Sequence, residues 1–189
     1  MVPDASWRPA EALFCGHPAR LCRVTAAAAH RVELVDAASP VWLAETRAIF
    51  TEYALRLGID LEFQQFDAEL EFLPGDYAAP RGHLLLALVD GAVAGCGALR
   101  ALPDCDYPNA CEMKRLYVRP AFRRFGLGRQ IVEALLDEAQ RSGYSSVLLD
   151  TLDDMEAARG LYASLGFEEI PPYYYNPIPG SHYLKVDLR

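Results

Sequence analysis

The stretch "RRFGLGRQIVEALLDEA", Arg123–Ala139, sets three arginines and two glycines at the threshold of an amphipathic helix. Ile131, Leu135 and Leu136, with Ala139 following, recur at helical spacing, and Gly143 supplies a stop. The spacing therefore predicts a helix from Gly126 to Ser142. The first N–H groups of a helix have no partner within it, and the aligned peptide dipoles add about half a positive charge there. Gly126 and Gly128 let a bulky group approach the backbone without a Cβ in the way. The natural occupant of such a start is a phosphate or pyrophosphate. Between Lys114 and Arg129 stand six basic residues and no acidic one, although the whole chain has a formal net charge of −8. A plain solvated face produces such runs too, and the run alone does not separate the two readings.

The setting narrows the choice of phosphate ligand. No GK[ST] follows, so this is not a Walker loop, and Gly126-x-Gly128 lacks the third glycine and the later acidic residue of a dinucleotide fold. The "GCG" at 95–97 lies inside an expected hairpin strand and not at a strand-to-helix turn. A bare GxG is weak. A strand "LYV" followed by proline, R-x-x-G-x-G and then a helix is far more specific, because residues and setting are fixed together.

Outward from this point, "RVELVDA" (31–37) alternates as a short strand, and Val41–Leu57 follows helical spacing up to Gly58. "LEFQQFDAELEF" (61–72) reads as a second, shorter helix stopped by Pro74-Gly75. Two apolar runs flank Asp90-Gly91, a two-residue hairpin signal. "CEMKRLYV" (111–118) is a strand, "SVLLDT" (146–151) a buried strand, Met155–Leu165 a helix, and "FEEI" and "HYLKVDL" the closing strands. The order β-α-α-β-β-β-α-β-α-β-β predicts a single α/β domain with a mixed sheet.

The chain has 189 residues, 52% of them hydrophobic, which suits one domain with a short appendage. Residues 1–30, with Pro3, Pro9, Pro18 and an alanine run, are expected to be an extension, partly ordered at best. No apolar run approaches the roughly 20 residues of a membrane span. The opening "MVPDASWRPAEAL" has neither the basic start nor the apolar block of a secretory signal, so a cytoplasmic protein without membrane association is expected. Cys15, Cys22, Cys96, Cys105 and Cys111 are scattered, form no CxxC and have no histidine cluster nearby, so reduced thiols and no metal site are expected. Cys111 adjoins a candidate catalytic position, which leaves open a reactive thiol. The overall acidity argues against nucleic acid as a partner.

These motifs resemble the GNAT N-acetyltransferases. Arg123, Gly126 and Gly128 match the family's R/Q-x-x-G-x-G/A loop; Leu116-Tyr117-Val118 matches the preceding strand; Ala158, Leu161, Tyr162, Gly166 and Phe167 match its late A-x-x-L-Y-x-x-x-G-F. The resemblance covers residues 31–189 and implies a GNAT-like, mostly antiparallel twisted sheet flanked by helices. It implies acetyl-CoA as cosubstrate, with no metal. The pyrophosphate and 3′-phosphate of coenzyme A then supply the anion. The main chain of the loop Arg123, Arg124, Phe125, Gly126, Leu127, Gly128 and Arg129 would hold the pyrophosphate. Leu116, Tyr117 and Val118 would pair with the pantetheine arm and direct an N–H at the thioester carbonyl. Many family members have Asn where this chain has Met155; Met155 and Ala158 would give the pantetheine apolar contact.

Acetyl transfer needs a neutral amine, a donor for the developing oxyanion and a proton for the departing thiolate. Glu112 precedes Lys114, Leu116 and Val118 at period-two spacing, so these four are expected on one face. The resemblance implies Glu112 as the base, direct or through water; a structural ion pair with Lys114 or Arg115 is the other reading. Lys114 itself reads as a surface or ion-pair residue. Tyr162 shares a helical face with Met155 and Ala158, and the resemblance implies that it protonates the thiolate. A tyrosine on such a face also occurs as plain core.

"IPPYYYNPIPGSHY" (170–183) sets three tyrosines between proline pairs. Tyr173, Tyr174, Tyr175 and Asn176 are candidates for the acceptor pocket, or for an inert cap over the sheet. From Glu33 to Asp76 there are ten acidic residues against two basic ones, so a cationic amine is expected as the acceptor. The leading expectation is an acetyl-CoA-dependent N-acetyltransferase acting on a primary amine of a small molecule or peptide. A non-catalytic acyl-CoA-binding regulator is the alternative, and Met155 is the feature that leans toward it. A homodimer stays open.

Overall fold

The computed structural model describes residues 30–189. The extension expected at the N-terminus, with Cys15 and Cys22, lies outside the described residues except for His30. The elements run β1 (Val32–Asp36), α1 (Leu43–Leu57), α2 (Phe66–Phe72), β2 (His83–Val89), β3 (Ala92–Leu102), β4 (Ala110–Val118), α3 (Leu127–Arg141), β5 (Ser146–Leu152), α4 (Glu156–Ser164), β6 (Glu168–Ile170) and β7 (Ser181–Asp187), with short 3₁₀ turns at Glu62–Gln64, Gly75–Tyr77 and Pro120–Phe125. This is the expected order. The strands form one seven-stranded sheet in the order β1-β2-β3-β4-β5-β7-β6. Its pairings are antiparallel except β4–β5, which is parallel.

Local chemistry explains most of this. Asp90 and Gly91 both take left-handed φ (51° and 81°), the two-residue turn that matches strand twist, and they join β2 to β3. Helix α3 buries Leu127, Ile131, Val132, Leu135 and Ala139 completely against the sheet; each of the larger ones contributes about 1.5–3 kcal/mol. The same contact explains "GCG". A Cβ at Gly97 would lie 2.7 Å from Ile131 Cγ2 and 2.9 Å from Leu135 Cδ1, and one at Gly95 would lie 2.8 Å from the Tyr117 carbonyl oxygen. These glycines let α3 settle onto β3 and β4.

Two expectations need correction. Residues 61–72 do not form one helix: Gln65 takes a left-handed φ of 56°, separating the Glu62–Gln64 turn from α2. Nor does β4 alternate throughout. Between the pairs Cys96↔Tyr117 and Ala98↔Lys114 it carries one residue more than β3, and Arg115 there has a φ of 59°. This bulge reverses the alternation. Glu112 lies directly opposite Arg100, and Lys114, Arg115 and Tyr117 share its face toward α1 and α2, whereas Leu116 and Val118 turn toward α3. The four residues expected on one face are thus divided.

Candidate active site

The parallel pair β4–β5 holds only at Ala110↔Ser146, Cys111↔Val147 and Glu112↔Leu148. Beyond Glu112 the strands part. β5 continues to Leu152 on β7, and β4 continues to Val118 on β3, so the β5-facing edge of β4 from Met113 onward has no strand partner among the described residues. The bulge at Arg115 sits where the divergence occurs. A cleft opens between the strands, lined on its inner part by Met113–Leu116, Asp150–Leu152, Tyr53 and Tyr162. Sharing Leu116, Met155 and Ala158, it continues outward past Tyr117, Val118 and Arg123 to Gly128 at the start of α3.

At that outer end the loop is a 3₁₀ turn closed by Gly126, whose φ of 65° admits the approach to α3. The N-cap residue of α3, Gly126, offers no side-chain cap, and among the described residues nothing lies within 4 Å of where its Cβ would stand. Gly128 faces α4, with Leu161 Cδ2 3.5 Å from its notional Cβ. Arg123 is exposed at the cleft and reaches the Val118 carbonyl at 3.4 Å. Arg124 contributes backbone to the turn. The other loop side chains turn elsewhere. Leu127 is core; Phe125 packs on Phe122 and His30; Arg129 bonds Ser164 Oγ at 2.7 Å and Glu133 at 3.3 Å. Four of the six basic residues are already paired, Arg115 with Glu69, Arg119 with Glu52, Arg129 with Glu133 and Lys114 with Glu112, so the run is not one positive patch.

Toward the inner end, Tyr162 is buried and lines the cleft, its ring 5.5 Å from Phe167. Burial pushes its phenol well above the ordinary range, with the nearby Tyr53 and Asp150 adding to the shift, so it stays protonated. Met155 and Ala158 line both parts of the cleft, and Thr151 Oγ1 donates to the Met155 sulfur at 3.6 Å.

Glu112 is placed differently from a residue that meets an open cleft. It is 1% exposed and does not line the cavity. Oε2 accepts from Arg100 Nε at 2.7 Å and Oε1 from the Tyr173 hydroxyl at 2.9 Å, while Lys114 Nζ stands 3.6 Å away. Burial alone would raise its pKa, but the Lys114 and Arg100 charges, with the hydrogen bonds from Tyr173 and Arg100, hold the carboxyl below the ordinary glutamate value. Arg115, the other partner envisaged for Glu112, instead grips Glu69 with two bonds of 2.8 and 2.7 Å and reaches Gln64 at 3.1 Å.

The tyrosine run divides. Tyr173 bonds Glu112; the Tyr174 hydroxyl accepts from Gln64 (3.3 Å) and Asn176 (3.2 Å); Tyr175 is 85% exposed. Asn176 reaches the cleft and donates to Asp150 Oδ2 at 3.4 Å. Cys111 is fully buried, and burial pushes its thiol up to about 12, the state of an inert core cysteine. Sequence reasoning missed Asp150 and underrated Lys114. The available signal was a lone aspartate late in the apolar strand "SVLLDTL", a costly position unless its charge is used.

No arrangement of three or more His, Cys, Asp or Glu suited to a metal ion occurs among the described residues, and no helix there is long and apolar enough to cross a membrane.

A sheet whose strands β4 and β5 separate beside the start of a helix is the arrangement that the resemblance implied, and comparison with known proteins identifies the class. Residues 43–167 match the model of the acetyltransferase (GNAT) family. An uncharacterized N-acetyltransferase of Schizosaccharomyces pombe is 39% identical over 79% of this chain and 90% of its own length. A second, from Dictyostelium discoideum, is 30% identical over 84% of this chain and 99% of its own. Among solved structures, yncA from Salmonella typhimurium with its cofactor acetyl-CoA shares the fold at a TM-score of 0.60, with 21% identity over 84% of this chain and 94% of that one. The chain belongs to the GNAT acetyltransferase family and is an N-acetyltransferase.

Enzymes of this family use acetyl-CoA. The residues present fit it. The glycine cradle at 126–128 is open, the start of α3 is uncapped, and the free edge of β4 offers the alternating amide groups that an extended amide-bearing arm requires.

Proposed function

We propose that this enzyme transfers the acetyl group of acetyl-CoA directly to a primary amine held at the inner end of the cleft. The supporting observation is the continuity of that cleft, from the uncapped helix start at Gly126–Gly128 to the buried polar cluster around Tyr162, Asp150 and Lys114. Acetyl-CoA supplies an activated thioester carbonyl. The backbone of 126–128 and the Arg123 guanidinium hold its phosphates. Leu116, Tyr117 and Val118 present the strand edge to the pantetheine arm, and an N–H of this segment faces the developing oxyanion. Met155 and Ala158 form the opposite, apolar wall. Tyr162 donates its proton to the departing sulfur. Glu112, closed off by Arg100, Tyr173 and Lys114, acts as a positioning residue that holds the Lys114 ammonium and the Tyr173 ring in place.

The reading is tested by thiol release from acetyl-CoA on addition of amines, together with thermal stabilisation by acetyl-CoA. Stabilisation with amine-dependent release is expected. Stabilisation without release from any amine would leave the non-catalytic acyl-CoA binder in its place.

A further inference from the structure

The inner end of the cleft carries an unusual charge arrangement. Lys114 has a side chain only 4% exposed, yet its ammonium makes no hydrogen bond among the described residues: the nearest carboxylates, Glu112 Oε1 and Asp150 Oδ1, are 3.6 and 4.0 Å away. The ammonium keeps its ion pair with Glu112 and lies 5.9 Å from the Tyr174 ring, but it has three donors and lines the cavity, so donors remain for an acceptor that enters there. Asp150 faces the same space, 17% exposed, with Asn176 on Oδ2 and Lys114 opposite Oδ1. Leu57, Ile59, Leu61, Phe63 and Ile178 form apolar walls around the pair. Of the acidic segment that suggested a cation, Glu52 is engaged by Arg119 and Tyr117 and Glu69 by Arg115, and none of its carboxylates is among the described residues that line the cavity. The charges that line the cavity are Lys114 and Arg115 against Asp150, not an excess of carboxylates.

From this arrangement we infer that the acceptor is a zwitterion, a free α-amino acid with an apolar side chain, whose ammonium meets Asp150 and whose carboxylate meets Lys114. The inference rests on the acetyl-transfer reading and replaces the expected cation. In an α-amino acid the nitrogen and a carboxylate oxygen lie about 3 Å apart by covalent geometry, close to the Lys114–Asp150 separation of 4.0 Å. The four charges then alternate in sign around a square. The carboxylate gives the remaining Lys114 donors an acceptor, and the side chain enters the apolar walls. A polyamine would bring a second cation against Lys114 and Arg115.

The pair also accounts for the protons. Asp150 takes one proton from the substrate ammonium and passes it to solvent. The freed lone pair forms the C–N bond as the C–S bond breaks. Tyr162 protonates the thiolate and is reprotonated by the second proton of the nitrogen. The products are the N-acetyl amino acid, the free thiol and one released proton.

The test compares thiol release with L-leucine, with 3-methylbutylamine (leucine without its carboxylate) and with spermidine. L-Leucine is expected to show a kcat/KM at least about tenfold above either amine, and 4-methylpentanoate (leucine without its amine) should compete with it. Lys114→Met should reduce the leucine-to-methylbutylamine ratio by about tenfold or more, while acetyl-CoA still raises the Tm of the variant, which shows that it folds. Asp150→Asn should lower turnover of leucine by about 10²-fold with the acetyl-CoA shift in Tm retained. A faster reaction with 3-methylbutylamine or spermidine, or a ratio unmoved in Lys114→Met, overturns the inference and leaves acetyl transfer standing. Release from no member of the panel also overturns it; if acetyl-CoA then fails to raise the Tm as well, the acetyl-transfer reading falls with it.

Discussion

Arg100 and Glu112 face each other across β3 and β4, and the guanidinium meets the Glu112 Oε2 from both Nε and Nη2 at 2.7 Å. Two charges have been drawn into the sheet, and the carboxylate is completed by Tyr173 and neighboured by Lys114. Such a cluster contributes little net stability when whole and costs heavily when broken, because the remaining charges keep their burial without their partner.

Glu112→Gln should therefore lose about 3–5 kcal/mol at pH 7, measured by denaturant unfolding. The sign with pH follows from the lowered pKa of Glu112 in the folded protein. Its contribution is fully present above the unfolded value, about 4.3, and disappears as pH falls through the lower folded value. The gap between wild type and variant should accordingly narrow below pH 4; a gap of constant size would show that the charge of Glu112 is not the source.

Gly126→Glu should abolish the rise in Tm produced by acetyl-CoA. The residue sits at a φ of 65° with open space where a side chain would begin, so a carboxylate there would occupy the place offered to phosphate and repel it. Acetyl-CoA affinity equal to wild type, measured by calorimetry, would remove this loop from the binding site.

Tyr162→Phe should preserve acetyl-CoA binding and lower kcat by about 10²-fold, the range for a lost general acid. The buried ring and its contact with Phe167 are kept by phenylalanine, so the fold should be retained. Wild-type turnover would confine Tyr162 to packing.

Gly97→Ala should destabilise the protein by about 1–3 kcal/mol, because the added methyl meets the ends of Ile131 and Leu135 inside van der Waals contact. Urea midpoints with an unchanged m-value would report it; a variant as stable as wild type would mean that α3 sits less tightly on β3 than the geometry shows.

The chain's local chemistry determined much of this protein. The helical spacing of Ile131, Leu135 and Ala139, the left-handed turn at Asp90-Gly91 and the open start of α3 all follow from neighbours in sequence, whose backbone preferences act over a few residues. The order of elements and the location of the anion cradle were legible for that reason. The bulge at Arg115 was not, because it is a mismatch in length between β4 and β3, and period-two reasoning on one strand has no access to it. The partners of the charged residues were equally hidden. Lys114 meets Asp150 from 36 positions away and Arg115 meets Glu69 from 46, and only the packed sheet brings them together. Tertiary structure alone thus decided which carboxylate faces the cleft and which is sealed behind it, since low-dielectric burial makes the nearest opposite charge, not the nearest in sequence, control each group.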